Sequence, residues 1–226
     1  MNKDILIAVI MGGPGSEREV SLASGNAVLA ALKEQGLNAV AVDVEGHSFE
    51  LPAGTELCFN TIHGTFGEDG EVQAILESML MPYTGAGRES SKVAFDKVAS
   101  KEVFLAHGVP TPVSEIVDCS AGAKLPVMSP PYVVKPPCEG SSVGVHIVHD
   151  PSEATAAMED AAKYGDQVLV EQYIEGLELT VGVLDGVALP IVHIAPRSGF
   201  YDMKNKYPWL NDDGGTDYYC PADLDE

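Results

Sequence analysis

The sequence predicts an α/β chain: a parallel sheet with helices on its faces, followed by an α+β region built on antiparallel sheet. Ile5 to Ile10 is an unbroken apolar run, as expected of a strand covered on both faces. Strand-like and helix-like periods then alternate as far as Thr84, a pattern that calls for parallel β-α-β connections. Beyond Pro110 short strands and turns take over, with Asp185-Gly186 as a strong hairpin signal.

Taken in order, the first strand ends at Gly12-Gly13-Pro14-Gly15, and Ser16 with Glu19 reads as a capping box. Val20, Ala23, Ala27, Val28, Ala31 and Leu32 fall at helical spacing, and Gly36 is a stop signal. Ala39 to Val44 and Leu57 to Ile62 read as the second and third strands. Val72, Ile75, Leu76, Met79 and Leu80 mark a helix, and Pro82 to Thr84 a short strand. One helix is expected from about Ser90 to His107, stopped by Gly108 and Pro110. Ser114 to Val117, Tyr132 to Lys135, Val145 to Val148 and Val168 to Glu171 read as strands. Asp150 caps a helix that has Pro151 at its first position. Glu178 to Leu184 and Val187 to His193 flank the Asp185-Gly186 turn. After Pro196 the chain is polar, aromatic and glycine-rich with little periodicity. These boundaries divide the chain into residues 1–88, 89–176 and 177–226.

Length and composition bound the function. The chain has 226 residues, enough for two compact units, with 45% hydrophobic and 21% charged residues. A formal net charge of −21 argues against nucleic acid as a partner, because phosphate backbones need a basic footprint. A nucleotide needs only a few placed cations and stays open. The four cysteines, Cys58, Cys119, Cys138 and Cys220, form no C-x-x-C pair, which argues against a zinc site and for a reducing cytosol. The N-terminus superficially resembles a signal peptide. Asp4, the short apolar run and the lack of a small-x-small cleavage site favour a first buried strand instead. No apolar run approaches membrane-spanning length.

Several stretches carry residue types that do chemistry. Lys135 ends an apolar strand, and Pro136-Pro137-Cys138-Glu139-Gly140-Ser141-Ser142-Val143-Gly144 follows as a turn of mostly small residues. Such a turn can fold over a polyphosphate and offer it backbone N–H groups, with the lysine as a point charge. An ordinary hairpin with an exposed lysine fits equally well. The loop Gly12 to Glu19 fails as a dinucleotide fingerprint, since the spacing lands on Arg18 where Gly or Ala is needed, and Asp43 is too far along to serve as the ribose acid. Glu17 can be a helix-start acid or can hold a cationic amine. His63 stands at the carboxyl end of the third strand, where ligands of open α/β sheets bind. Glu68 and Asp69 read as helix-start acids.

His146 and His149, three apart on a strand, point to opposite faces and make no metal pair. Ser141 lacks partners for a nucleophilic triad. Glu171 and Glu178 bracket a turn and could accept hydrogen bonds from an adenine amine and ribose hydroxyls, or could be solvated hairpin charges. Phe200-Tyr201-Asp202-Met203-Lys204-Asn205-Lys206-Tyr207 lies in a long irregular segment whose aromatics suit a lid.

In this order the segments resemble the D-alanine–D-alanine ligases of the ATP-grasp superfamily. The resemblance runs through Gly12-Gly13, Ser16 to Ser21, His63-Gly64, Gly67 to Gly70, Pro82 to Gly85, Asp96-Lys97, Lys135 to Gly144, Glu171, Glu178, Phe200 to Asp202 and Lys206-Tyr207, and covers the whole chain. It implies a Rossmann-like N-terminal domain followed by an ATP-grasp α+β domain with its phosphate-clamp loop, and then the start of the last subdomain. It also implies ATP-dependent joining of two D-alanine molecules through an acylphosphate, for peptidoglycan precursors, by a cytoplasmic homodimer using ATP with Mg²⁺ or Mn²⁺. No membrane or nucleic-acid partner is implied.

The resemblance also implies roles. Lys97, Lys135 and the turn at Gly140, Ser141 and Ser142 would hold ATP phosphates. Glu171 and the backbone near Ile174 would take adenine, and Glu178 the ribose. Glu17 would pair with the first D-alanine ammonium, and His63 would stand near the substrate carboxylates. Glu17, Ser141 and Tyr207 would form one hydrogen-bonded catalytic cluster, and Lys206 would reach the γ-phosphate from the lid. Tyr207 goes with D-alanine as acceptor, whereas D-lactate-using relatives carry histidine there. Gln172 stands where many relatives have lysine.

Family members continue past the lid with the metal ligands, an arginine and the acceptor-binding turn. Asp212, Asp213, Asp217, Asp223 and Asp225 offer no replacement for those ligands, so the 226-residue polypeptide is expected to be inactive by itself. The alternatives are a non-catalytic nucleotide-binding fragment or another ATP-grasp carboxylate–amine ligase.

Overall fold

The computed structural model describes residues 4–210 and 214–224. The chain divides into two compact units, residues 1–111 with 137–140 and residues 112–136 with 141–226.

The first unit is built on a parallel sheet. β1 (Leu6–Gly12) runs into α1 (Arg18–Glu34), which returns to β2 (Ala39–Val44); β3 (Thr55–Asn60) pairs with β1 on its other side, giving the order β2-β1-β3. The apolar run of β1 has the composition it needs because both faces are covered. Ala8 and Ile10 pack with Val44, Cys58, Phe66, Val72 and Leu76. Ile7, Val9 and Met11 point the other way and meet Leu22, Val28, Leu29 and Leu32 of α1. The expected capping box at Ser16 does not form. The helix starts two residues later, its cap residue is Glu17, and no side chain caps it.

α2 (Glu71–Ser78) carries the predicted Val72 and Leu76 face. Met79 and Leu80, assigned to the same face, lie beyond its end and are exposed, because Leu80 turns into the left-handed region at φ 54°. The strand expected at Pro82 to Thr84 is a single bridge, Tyr83 beside Cys58. The helix expected from Ser90 to His107 is two: α3 (Arg88–Phe95) and α4 (Lys97–Ala106). The break is Asp96, extended at φ −84° and ψ 108°, whose carboxylate accepts from the N–H groups of Val98 and Ala99. A new N-cap thus interrupts an apolar period that continues across it.

The second unit holds β4 (Ser114–Asp118), β5 (Tyr132–Lys135), β6 (His146–Val148), α5 (Ala154–Ala161) and β7 (Gln167–Gln172). The four strands form an antiparallel sheet in the order β4-β7-β5-β6. Tyr132, Val134, Val168 and Val170 face Ala154, Ala157, Met158 and Ala161. By the period of two, Lys135, Leu169 and Glu171 share the opposite face. Asp150 and Glu153 form the capping box before α5, with Pro151 at the first position.

The long hairpin expected around Asp185-Gly186 forms, but as two ladders. β9 (Val183–Leu184) pairs with β10 (Val187–Ala188) beside the turn, and β8 (Glu178–Thr180) continues the same arms after a one-residue shift in register, Thr180 lying opposite Val192 of the next strand. β11 (Val192–Pro196), α6 (Met203–Lys206) and β12 (Thr216–Tyr219) complete the unit, with the sheet order β12-β11-β8. β12, in a stretch without periodicity, is a strand that the sequence did not announce.

Candidate functional site

The first unit gathers its candidate residues at the carboxyl ends of β1 and β3. This is the switch point of the sheet, where open α/β folds bind ligands. Ser21 of α1 fastens the two strand ends: its hydroxyl accepts from Gly12 N at 2.8 Å and donates to Thr61 O at 2.9 Å. The Thr61 hydroxyl donates to Ile10 O at 2.8 Å. Arg18 donates to both Asp43 carboxylate oxygens at 2.8 Å and to Val44 O at 2.8 Å. Asp43 therefore anchors the loop.

Glu17 is buried, with 3% of its surface exposed. Its carboxylate lies against the backbone of Gly64 and of Gly140, and a Cβ at either glycine would strike Glu17 Oε2. Gly64 also has φ 67°, so glycine is favoured there twice over. Glu68 and Glu139 stand near enough to feel the Glu17 charge. Burial first, then Glu17, raises the carboxyl pKa of both above the usual range. A carboxylate group held this way is a fitting partner for a cation.

His63 Nε2 lies 3.0 Å from Ser24 Oγ, and its Nδ1 is 3.7 Å from Glu68 Oε1. Asp69 stands one residue before Gly70, the cap residue of α2, and accepts from Phe66 N and Glu71 N, whereas Glu68 faces His63. Lys97, at the first position of α4, donates its ammonium to Pro137 O at 3.2 Å and Glu139 O at 2.6 Å. It holds the 137–140 segment by its carbonyls.

In the second unit Lys135 and Glu171, on the same face of β5 and β7, form an ion pair. Glu171 is buried and Ile174 exposed. Ser141 and Ser142 both take left-handed backbone, at φ 49° and 62°. For non-glycine residues this costs about 1–2 kcal/mol each, and it is the kind of strain that functional turns store. The conformation aims both hydroxyls at the 201–207 segment. Ser141 Oγ lies 3.0 Å from Tyr207 Oη, and Ser142 donates to Tyr201 O at 2.8 Å.

Lys206 Nζ sits 4.8 Å from the centre of the Tyr201 ring, a cation–π contact. The Tyr201 hydroxyl is 2.8 Å from that of Tyr218. Partial burial raises the Glu178 carboxyl pKa, and the Lys206 ammonium opposes that shift. His146 and His149 are engaged apart, with Asp160 at 2.7 Å and with the Tyr173 ring.

Within the second unit Ser141 meets Tyr207, and within the first Glu17 lies against Gly140, a contact that was not anticipated. Ser24 and Asn205 were not anticipated. Ser24 shows only as a polar residue on the inward side of α1. Among the described residues no group of three or more His, Cys, Asp or Glu side chains could hold a metal ion. Asp217 is paired with Arg197 and Asp223 is exposed, while Asp212, Asp213 and Asp225 lie outside the described residues. No described helix is long and apolar enough to cross a membrane.

The family model for the C-terminus of D-ala D-ala ligases matches residues 118–226. The D-alanine–D-alanine ligase of Methylacidiphilum infernorum is 46% identical over 218 residues, covering 96% of this chain and 70% of that relative. That of Citrifermentans bemidjiense is 46% identical over 97% of this chain and 71% of its own length. Among solved structures, the Bacillus anthracis D-alanine–D-alanine ligase superposes with a TM-score of 0.80 at 31% identity. It covers 98% of this chain and 73% of that one. Its complex with ATP gives 0.79 at 29% identity, over 98% of this chain and 72% of that one. With the motifs in sequence order and this degree of identity along nearly its whole length, the chain belongs to the D-alanine–D-alanine ligases of the ATP-grasp superfamily.

Proposed function

We propose that the protein joins two D-alanine molecules into D-alanyl-D-alanine at the expense of ATP, for peptidoglycan precursor synthesis. The observation that carries the reading, beside family membership, is the hydroxyl pair of Ser141 and Tyr207, which fastens the lid to the turn after Lys135. A carboxylate is a poor acyl donor. Attack of one carboxylate oxygen on the γ-phosphorus releases ADP and leaves an acylphosphate. The amine of the second D-alanine then attacks the acyl carbon, phosphate departs, and the amine loses a proton. Water would destroy the acylphosphate, so a fastened lid suits this chemistry.

The roles follow from charge and placement. Glu17 takes the ammonium of the first D-alanine, and His63 stands by the substrate carboxylates. Lys97, Lys135, Lys206 and the turn at Gly140, Ser141 and Ser142 hold and neutralise phosphates; positioning and charge stabilisation are most of phosphoryl-transfer catalysis. In this structure the Lys97 ammonium donates to loop carbonyls and that of Lys135 pairs with Glu171, and an ammonium has three donors to share between such partners and a phosphate. Glu171 and the backbone near Ile174 take adenine, Glu178 takes ribose, and Tyr207 goes with an amine acceptor. Glu17, Ser141 and Tyr207 act as one cluster.

The finer parts of the reading are a cytoplasmic homodimer, a division at residues 88 and 176, and a magnesium or manganese ion that travels with the nucleotide phosphates. The test is ADP release with D-alanine against L-alanine by a full-length version that carries the family's remaining segment. The reading expects turnover with the D enantiomer alone; equal turnover of both, or none, removes it.

A further inference from the structure

The lid residues Lys206 and Tyr207 leave a helix of four residues, Met203–Lys206. So short a helix has no stability of its own, since nucleation alone is unfavourable at this length. Something outside it must fix where its last residue and Tyr207 point. Asn205, in the middle of that helix, is 3% exposed. Its carboxamide nitrogen donates to Ser198 O at 2.7 Å, Phe200 O at 2.8 Å and Asp202 Oδ1 at 3.2 Å. Its carboxamide oxygen accepts from Gly215 N at 3.2 Å. Its backbone N–H donates to Asp202 Oδ1 at 3.0 Å, and its backbone carbonyl accepts from the Thr216 hydroxyl at 2.9 Å. One residue therefore pins the chain before the helix, at 198–202, and the chain after it, at 215–216.

We propose that Asn205 is the positioning residue of the lid: its buried carboxamide cross-links the two arms of the segment and so sets the direction of Lys206 and Tyr207. It touches no reacting atom in this account. An amide is the side chain the place requires. The three oxygens around its nitrogen need a donor, and Gly215 N needs an acceptor. Aspartate would keep the acceptor and set a second carboxylate against Asp202. Alanine would leave buried carbonyls and an N–H without partners. The catalytic consequence rests on the ligase reading; the structural claim does not.

Trp209 is the single tryptophan of the chain, and its ring stands 5.2 Å from that of Tyr207. Its emission therefore reports on the lid whether or not the protein turns over. In Asn205→Asp and Asn205→Ala the fast, nanosecond component of Trp209 anisotropy is expected to grow about twofold or more, with the far-UV circular dichroism of the parent. Thr216→Val, which removes only the bond to the Asn205 carbonyl, is expected to do the same to a lesser degree. For ligation, kcat falls about tenfold in the Asn205 variants while KM for ATP stays within about threefold, because a misdirected lid spoils the reacting geometry more than ground-state binding.

Parent-like Trp209 anisotropy in folded variants would overturn the proposal. So would loss of circular dichroism in both Asn205 variants, which would make the residue a folding determinant. A parent-like kcat alongside a loosened Trp209 would overturn the catalytic half alone. A full-length parent inactive on D-alanine would overturn the ligase reading and leave the anisotropy result to decide the role of Asn205.

Discussion

Glu17 in the first unit and Tyr207 in the second are held in different ways. The Glu17 carboxylate is fixed by contact, buried against the backbone at Gly64 and Gly140, beside strand ends that Ser21 and Thr61 lock together. Tyr207 is fixed by a few hydrogen bonds just past a four-residue helix, and elsewhere in that unit Leu179, Val181, Val183, Leu184 and Val187 are exposed. Close packing gives a group one position, because a packed interior cannot deform gradually. A hydrogen-bonded segment with little buried apolar area opens at low cost and is suited to move. A substrate-ammonium site wants the first kind of support and a lid wants the second.

The largest expected effect tests the contact-held side. Gly64→Ala adds a Cβ that meets Glu17 Oε2 at a backbone position with φ 67°. Left-handed strain of about 1–2 kcal/mol adds to displacement of the carboxylate. For the ligase reading, kcat/KM with D-alanine should fall about 100-fold, near 3 kcal/mol of transition-state stabilisation. Parent-like kinetics would mean that Glu17 moves aside freely and that its surroundings are not rigid. On the lid side, Tyr207→Phe removes one partly buried hydrogen bond, and kcat should fall about three- to tenfold. Ser141→Ala should cost at least as much, and the double variant less than the product of the two losses, because the bond between the two hydroxyls is lost in both. Multiplying losses in the cycle would show that the two hydroxyls act separately.

A smaller effect concerns the helix break. Asp96→Ala removes the cap of α4, worth about 1 kcal/mol, and the melting temperature should fall by about 2–4 °C in a chain of this size. An unchanged value would mean that Lys97 and its bonds to the 137–140 carbonyls, and not the cap, set the start of α4.

How much of this was readable differs between the regions for physical reasons. The first strand declared itself because burial on both faces demands an unbroken apolar run. The Asp150 cap and the Asp185-Gly186 turn declared themselves because local geometry demands particular residues. The break at Asp96 did not, since the apolar period runs through it and only the cap marks it. Ser16 looked like a cap and is not one, because the chain enters the helix at Glu17. The Lys135 pairing with Glu171 depends on strand register, which is set by the whole sheet. The left-handed serines cannot be read from residue type, since serine gives no signal for positive φ. The Ser141 and Tyr207 meeting was expected by resemblance and by nothing in their spacing. Asn205 stayed hidden because its bonds reach chain that had no periodicity to reveal it.

The smallest expected effect sharpens the charge side of the Glu17 surroundings. Burial, then the neighbouring Glu17 charge, raises the Glu68 carboxyl above its ordinary pKa of 4.5. A carboxyl whose folded value is raised favours the folded state while protonated. That contribution is complete below about 4.5 and is lost as pH rises through the higher folded value. Above that window the ionised Glu68 opposes Glu17 and Asp69 and makes folding slightly less favourable. Glu68→Gln removes the charge at every pH. Its melting temperature should therefore exceed that of the parent at pH 7, with the difference vanishing or reversing near pH 4. Since 49% of the Glu68 side chain is exposed, solvent screens the repulsion and the gain should be about 1 °C or less. A drop at pH 7 would mean that the contact of Glu68 with His63 outweighs the repulsion. The acidic environment of Glu17 would then be balanced without a substrate cation.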